Sequence, residues 1–537
     1  MNDFAGKTYA QSLALLAQRF GAREALVFEG QRYSFADLRD QADRASARFL
    51  ELGLKPGDKV SLWMSNCPEY LWCWLGASQI GLVTVMLNTR LRADEVAYQI
   101  RQSDSRAIIV PAHSDARDFL GDLAGLCPEL VTSVPGALQC AAFPELRWVL
   151  TIGASERYRG VATWAPARPA ADLPYEQDPD APAMIAYSSG TTALPKGVML
   201  KHHVWRKAAD HGDRFGQSAD DRLYLCVPLF GIFANVNGAM TYWARGSCVV
   251  LAERFEAGLA LRTIQDERCT SMHLLPAMVQ QMLAHPDRAR LDIATLRTGI
   301  VISMDPEVVR AAATELGMRD LVTSYGLTET SSAVTRTSFR DPLEVRLTTH
   351  GRPFPDIEVR IADPQTNATL PDGETGEIQV RGYCIMAGYY KMPEATAAAF
   401  SADGWYKTGD LGCFLPDGNL RFTARLKDVF KHKGFNVSAA EVEEVVVKHP
   451  AVANAAVLGL PHPSHGEVGA AFVTLRPGQS LTQDDLIGFV RPRLASYKVP
   501  AHVFVIDELP VTGGTGKVQK HRLRELALTR LAEPARS

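Results

Sequence analysis

The sequence predicts an α/β protein with a large N-terminal multi-sheet domain that includes a β-rich subdomain, followed by a small C-terminal α+β domain. Three observations lead there. At 537 residues, 46% of them hydrophobic, the chain exceeds what one core organises. Strand and helix patterns alternate through most of its length, the signature of largely buried sheets covered by helices. From Thr366 the texture changes to short strands punctuated by Gly and Asp, and after Lys427 to a compact helix–strand mixture. The expected domains are 1–425, with the β-rich part at about 340–425, and 426–537.

Each element has its own reason. "GDKVSLWMSN" reads as a strand running into a loop, "PEYLWCWLGASQIG" as a helix opened by Pro, and "LVTVMLN" as a second strand, together a βαβ unit. Residues 70–87 approach membrane-spanning length, but Ser78, Gln79 and Gly81 interrupt them, so they divide into helix, turn and strand. No integral membrane segment is expected. "CVVL", "SMHLLPAMVQQML" and "LRTGIVI" continue the alternation, and the Ala/Pro-rich stretch 161–182 is an irregular connection. "PDGETGEIQVRG" and "DGWYKTGDLGCFLPDGNLRFTARLKD" are hairpin material. The C-terminal part offers a helix over 439–448, strands "AAVLGL" and "AAFVTL", a helix over 482–494 and strand "HVFVI". Residues 425–428 form a polar junction between two strand-like segments, as a hinge would.

Bulk properties exclude several classes. A net charge of −3 gives no electrostatic case for nucleic acid. Nine cysteines stand singly, without zinc spacing, which fits reduced thiols in a cytoplasm and no structural metal. "MNDFAGKTYAQSL" is too polar for a signal peptide.

The stretch "YSSGTTALPKGVMLKHH" (187–203) reverses the usual nucleotide loop: Lys196 precedes Gly197, and "VML" behind them reads as a strand and not as a helix. What remains is four hydroxyls (Ser188, Ser189, Thr191, Thr192), permissive backbone at Gly190 and Gly197, and one ammonium. That is a donor-rich clamp for a polyphosphate, or, on its own, a hydrophilic hairpin. Four further stretches stand with it: "SYGLTETSS" with Tyr325, Thr328 and Glu329; "GWYKTGDLG" with Asp410; "ARLKDVFKHKGFNVSAAEVE" with Arg425, Lys427, Lys431 and Lys433; and "LPVTGGTGKVQK" with Lys517. Singly these are a helix cap, a turn residue or solvated lysines.

In this order, with "LNTRLRADEVAYQIRQSDSRAIIV" and "MAGYYKMPEATAAAF", they resemble the adenylate-forming superfamily of acyl- and aryl-CoA synthetases, peptide-synthetase adenylation domains and beetle luciferases, over nearly the whole chain. The resemblance implies an ATP-dependent ligase using Mg²⁺ and CoA: a carboxylic acid and ATP give acyl-AMP and pyrophosphate, and acyl-AMP and CoA give acyl-CoA and AMP. By that resemblance the 187–197 loop holds the β- and γ-phosphates and Glu329 is the Mg²⁺ carboxylate. Thr328 contacts the α-phosphate, Tyr325 neighbours adenine, Asp410 and Arg425 hold the ribose, and Lys517 bridges the attacking carboxylate and the α-phosphate. It also implies a mobile small domain rotating about Lys427, with Lys431, Lys433 and Gly434 on the CoA side. A homodimer is compatible with the family.

"VPLFGIFANVNG" matches the family's acyl-pocket segment, placing Phe230, Gly231 and Phe233 there, with Met272 and Met304 as further candidates. Gly231 stands where many relatives have His, so a larger or reshaped pocket and an apolar acyl or aryl group are expected. Residues 302–305, Ile-Ser-Met-Asp, replace a Gly/Ala/Pro-rich turn, by drift or with altered specificity. Gly513, Gly514 and Thr515 put three residues where relatives have two before the Gly–Lys pair. The competing readings are a ligase loading a carrier-protein phosphopantetheine, and a silent nucleotide-binding scaffold. An amino-acid adenylation domain is disfavoured because Phe230–Phe233 offers no acid for an amine.

Overall fold

The structure, a computed structural model, describes residues 2–169, 172–188, 194–303, 305–432, 435–462, 466–511 and 518–532. Two compact units divide the chain: residues 1–360, 379–407 and 415–421 form one, and residues 361–378, 408–414 and 422–537 the other.

The first unit is organised on an eight-stranded sheet in the order Gly388–Tyr389, Lys196–Lys201, Pro182–Ser188, Val83–Met86, Lys59–Leu62, Ser105–Pro111, Trp148–Ile152, Val161–Thr163. The expected βαβ unit is present, with Val60 opposite Thr84 in a parallel pair. Its crossover helix, Pro68–Gln79, buries every residue except Glu69. A helix apolar all round belongs in a core, which accounts for the long apolar tract. At Gly76 an added Cβ would lie 2.6 Å from Ala42 O, so the helix Phe35–Glu51 packs directly against backbone there. Among the described residues no helix is long and apolar enough to cross a membrane.

A five-stranded sheet (Ser271–Met272, Arg222–Leu225, Cys248–Leu251, Glu24–Phe28, Gln31–Ser34) and a three-stranded one (Ser324–Leu327, Ser332–Arg336, Arg352–Pro353) complete the larger unit. The "LRTGIVI" stretch makes only isolated parallel bridges, Thr298 to Ser271, Val301 to Leu274 and Ile300 to Val322. The β-rich stretch supplies Ile357–Ala362, Gly376–Gly382, Tyr406–Phe414 and Leu420–Arg425, in that sheet order.

In the second unit Val452–His462 and Gly466–Leu475 pair antiparallel along their length, and His502–Val505 adds in parallel. Strand alternation sends Val457 and Val473 to one face, under the helices Ala439–Val447 and Gln483–Val490. Leu458 and Phe472 go to the other, with Leu523 and Ala527 of the helix Lys520–Ala532. The helix expected over 482–494 stops at Val490: Arg491 still has helical backbone (φ −51°, ψ −43°), but Pro492 has no N–H with which to continue the hydrogen-bond ladder.

Candidate functional site

The strands on either side of residues 189–195 pair antiparallel, as expected, with Ser188 opposite Lys196 and Tyr187 opposite Gly197. Ser189, Gly190, Thr191 and Thr192 lie outside the described residues, and so do Met304, Lys433, Gly434 and Lys517. Tyr187 turns away, donating to Gln102 Oε1 at 2.6 Å. Ser188 turns the other way, and its hydroxyl donates to Glu329 Oε1 at 2.9 Å. Tyr389 donates to the same oxygen at 3.2 Å. Lys196 Nζ sits 4.7 Å from the centre of the Tyr389 ring. One carboxylate, two hydroxyls and one ammonium therefore meet at the root of the loop.

Local backbone geometry puts Glu329 there. Strand Ser324–Leu327 carries Tyr325, and Thr328 and Glu329 occupy the 3₁₀ turn Thr328–Thr330. Ser331 (φ 53°) and Ser332 (φ 101°) then take consecutive left-handed conformations that reverse the chain. At Gly326 a Cβ would come within 2.2 Å of Ser332 O, so only glycine lets the returning strand close. The backbone N–H of Met386 holds Glu329 O at 2.9 Å. Glu329 is 7% exposed, and no basic side chain among the described residues pairs with it. Burial, together with the Glu329 charge, pushes the Tyr389 and Tyr406 hydroxyls up, so both stay protonated. A buried carboxylate with hydroxyl donors and no counter-cation fits a hard divalent ion, which takes one or two carboxylates and leaves room for phosphate oxygens.

Asp410 is buried and stands in the second unit, 3.2 Å from Arg425 Nε. Gly409 (φ 67°) donates to Glu377 Oε1 at 3.0 Å, and the Thr408 hydroxyl accepts from Asp410 N–H at 3.1 Å, which fixes the turn presenting the carboxylate. Lys427 follows in the 3₁₀ turn Leu426–Asp428, and Lys431 lies on strand Val429–His432.

The 227–238 segment begins as an extended stretch held by Asn66, whose amide donates to Val227 O and Ala252 O, each at 3.0 Å, and whose carbonyl accepts from Leu229 N–H. It continues into a helix with a π turn at Asn235–Met240, a geometry often found at functional positions. Phe230, Gly231 and Phe233 are half-buried, and Met272 is buried. Gly231 has an ordinary φ of −98°, and a Cβ there would meet only Pro228 O at 3.6 Å. Its small size is therefore not imposed by the backbone. In the 302–305 turn, Asp305 caps the helix Pro306–Thr314 by accepting from Glu307 N–H at 2.9 Å, a structural task for that departure.

Two groups were missed in the sequence. Tyr389 belongs to "MAGYYKMPEATAAAF", whose Tyr-Tyr pair was its available signal. The second is a buried cationic cluster. Arg336, Lys207 and His211 are fully buried, and Arg336 Nε and Nη1 and Lys207 Nζ lack hydrogen-bond partners among the described residues. Burial draws Arg336 down to about 9 and Lys207 to about 8, and drives His211 well below its ordinary value. At neutral pH Arg336 and Lys207 are thus mostly charged and His211 neutral. Phe354 lies 4.4 Å from Lys207 Nζ, and Phe215 lies 4.7 Å from Arg336 Cζ. Such ring contacts are worth about 0.5–2 kcal/mol each, whereas a buried ion costs several kcal/mol to desolvate. The rings do not offset that cost.

Elsewhere, Cys127, Glu129 and Cys140 come within 4.8 Å of one another through their ligand atoms, the one such group among the described residues. Burial holds the Cys127 thiol protonated, and Glu129 accepts from Ala141 N–H at 3.1 Å.

Comparison with known proteins agrees with this geometry. A profile for AMP-binding enzymes matches residues 14–390, and one for the AMP-binding enzyme C-terminal domain matches residues 441–517. YngI of Bacillus subtilis is 34% identical, with 98% of each chain covered. The mitochondrial medium-chain acyl-CoA ligase ACSF2 of Danio rerio is 32% identical over 96% of this chain and 88% of its own. The solved structure of the amide bond synthetase McbA from Marinactinospora thermotolerans superposes with a TM-score of 0.81 at 29% identity, over 97% of this chain and 99% of that one. The Ser188 hydroxyl on a buried carboxylate, the Asp410–Arg425 pair and matches spanning the chain lead to one conclusion: the protein belongs to the AMP-binding enzyme family, the adenylate-forming superfamily.

Proposed function

We propose that the chain is an AMP-forming acid–thiol ligase, an acyl- or aryl-CoA synthetase. A carboxylic acid attacks the α-phosphate of ATP to give acyl-AMP and pyrophosphate, and the CoA thiol then displaces AMP to give acyl-CoA. The observation that supports this most is the meeting of Ser188, Glu329, Tyr389 and Lys196 at the root of the loop. Two anions at close range repel by about 1 kcal/mol in water and more when desolvated. Offsetting this takes fixed donors and cations where charge develops. In this reading Ser188, Ser189, Gly190, Thr191, Thr192 and Lys196 hold the β- and γ-phosphates and follow pyrophosphate out. Thr328 contacts the α-phosphate, Tyr325 packs on adenine, and Asp410 accepts from the ribose hydroxyls beside Arg425. Lys517 places its ammonium between the attacking carboxylate and the α-phosphate.

Mg²⁺ would be held by Glu329, and it would supply charge neutralisation on the phosphate oxygens. Ser188 and Tyr389 keep that carboxylate oriented by donating to it. Thioester formation needs a different face, so residues 426–537 would rotate about Lys427 and bring Lys431, Lys433 and Gly434 to the CoA side. The nine free cysteines support a cytoplasmic setting. A homodimer belongs to the same reading and is checked by light scattering.

The direct test is acid-dependent exchange of labelled pyrophosphate into ATP without CoA, over a panel of carboxylic acids. Exchange with some acids and none without acid is expected. Exchange that requires CoA from the start would overturn the order of steps.

A further inference from the structure

The cationic cluster borders the acyl-pocket segment. Arg336 ends the strand that follows Glu329, and its Nη2 donates to Asn237 Oδ1 at 2.7 Å. Asn237 lies within the π turn, and its carbonyl accepts from His273 Nε2 at 2.9 Å. The His273 ring stacks on Phe233 with centroids 5.3 Å apart. A continuous set of contacts therefore links the guanidinium to the aromatic wall of the expected pocket. His273 does not supply the charge, since Nδ1 accepts from Ile300 N–H at 3.3 Å and burial pushes the ring down to about 4.

Among the described residues no carboxylate pairs with this charge from within. Asp210, the acid facing Lys207, is engaged by the Asn2 amide at 2.6 Å and by the Tyr383 hydroxyl. No carboxylate among the described residues forms an ion pair with Arg336 or Lys207. Lys207 and His211 stand one turn apart on the helix Val204–Phe215 and face the same Phe354 ring, at 4.4 and 4.9 Å. Further polar atoms lie on the same two elements: among the described residues, Asn235 Oδ1 of the π turn and the hydroxyls of Ser332 and Thr335 on the strand of Arg336 are buried without hydrogen-bond partners. A pocket for a plain hydrocarbon tail has no use for such a wall, because it leaves charged donors unpaired.

We propose that Arg336, supported by Lys207, receives a second carboxylate at the distal end of the acid substrate, so that the enzyme activates dicarboxylic acids in preference to monocarboxylic acids of equal length. This rests on the reading that residues 227–238 line the acyl pocket. It replaces the apolar acyl group expected from Phe230, Phe233 and Met272 with an acid bearing an anionic end. The guanidinium suits the role: planar, charged at neutral pH, with donors at Nε and Nη1 that have no hydrogen-bond partner among the described residues and that a carboxylate oxygen could accept from.

The experiment uses the full-length enzyme with ATP, Mg²⁺ and CoA, and matched pairs of acids from succinate-length to sebacate-length chains with and without the distal carboxylate. Thioester formation is followed by mass spectrometry. For at least one length the dicarboxylic acid should exceed its partner in kcat/KM by about 10-fold or more. Arg336→Met should lower kcat/KM for that acid by about 10²-fold and reverse the ranking, with KM for ATP unmoved. Arg336→Lys should restore part of the loss. Monocarboxylic acids leading at every length in the parent enzyme would overturn the proposal and leave the ligase reading standing, and that comparison needs no variant to fold. Product from neither class would also overturn the proposal, and acid-dependent pyrophosphate exchange with any other carboxylic acid would then leave the ligase reading standing.

Discussion

Replacing Glu329 by Gln separates a metal-binding role from a structural one, because the structure makes opposite demands in the two cases. The substitution keeps volume and leaves Oε1 to accept from Ser188 and Tyr389, now at 2.9 and 3.2 Å. Two hydrogen bonds to a charged acceptor, about 1.5–3 kcal/mol each, become neutral ones of about 0.5–1.5 kcal/mol each. That loses roughly 2–3 kcal/mol. Against it stands the desolvation of a buried carboxylate with no paired cation among the described residues, several kcal/mol that the amide does not incur. The terms nearly cancel, and the melting temperature should move by no more than about 4 °C. Activity should not be spared. Acyl-AMP formation should fall by about 10²-fold or more, and half-saturating Mg²⁺ should rise by a factor of about 10–100. The assay is single-turnover acyl-AMP appearance across a Mg²⁺ titration, with calorimetry on the same protein. A variant that melts far lower yet keeps the parent's Mg²⁺ dependence would refute the reasoning and make Glu329 a structural residue.

Burial holds His202, His273 and His350 down to about 4 from an ordinary 6.5. Between those values the unfolded chain binds protons that the folded chain refuses, so stability falls as pH drops from 6.5 towards 4, by about 1.4 kcal/mol per pH unit for each ring. The urea midpoint should therefore decline steeply below about pH 6.5, and a flat midpoint down to pH 5 would show that these rings protonate in place. Gly231→His, which the backbone accommodates, should shift preference towards smaller acids by roughly 1–3 kcal/mol per lost methylene-sized contact; an unchanged ranking would remove Gly231 from the pocket. Lys517→Ala should lose acyl-AMP formation by about 10² or more while supplied acyl-AMP still reacts with CoA, and an equal loss in both half-reactions would count against a role confined to adenylation. Lys427→Pro should leave acyl-AMP formation near normal and slow transfer to CoA severely, since Pro fixes φ near −65°; equal decay of acyl-AMP in variant and parent would return Lys427 to an ordinary surface lysine.

Most of the fold was legible because its signals are local. Pro68 at a helix start, the interruption at Ser78–Gly81 and the strand-like "VML" all depend on a few neighbouring residues. Ser188, Glu329, Asp410 and Arg425 were legible for a different reason: the motif order carried them, and the structure places Ser188 on Glu329 and Arg425 beside Asp410. What stayed hidden depends on residues far apart in the chain. Arg336 meets Asn237 across 99 positions and Tyr389 meets Glu329 across 60, and no periodicity registers either. The end of the helix at Val490 needed only closer attention to Pro492. Whether the 302–305 departure was drift or a specificity change stayed open in the sequence, because the capping bond from Glu307 N–H to Asp305 is invisible in composition.

Attack of the acid on the α-phosphate of ATP is the central claim, and oxygen tracing tests it most directly. The enzyme would be given a carboxylic acid labelled with ¹⁸O in both carboxyl oxygens, with ATP, Mg²⁺ and CoA, and the products weighed by mass spectrometry. One labelled oxygen should leave with AMP and one should remain in the acyl-CoA, with unlabelled pyrophosphate beside them. Label in inorganic phosphate, accompanied by ADP, would mean attack at the γ-phosphate through an acyl phosphate, and would contradict the account.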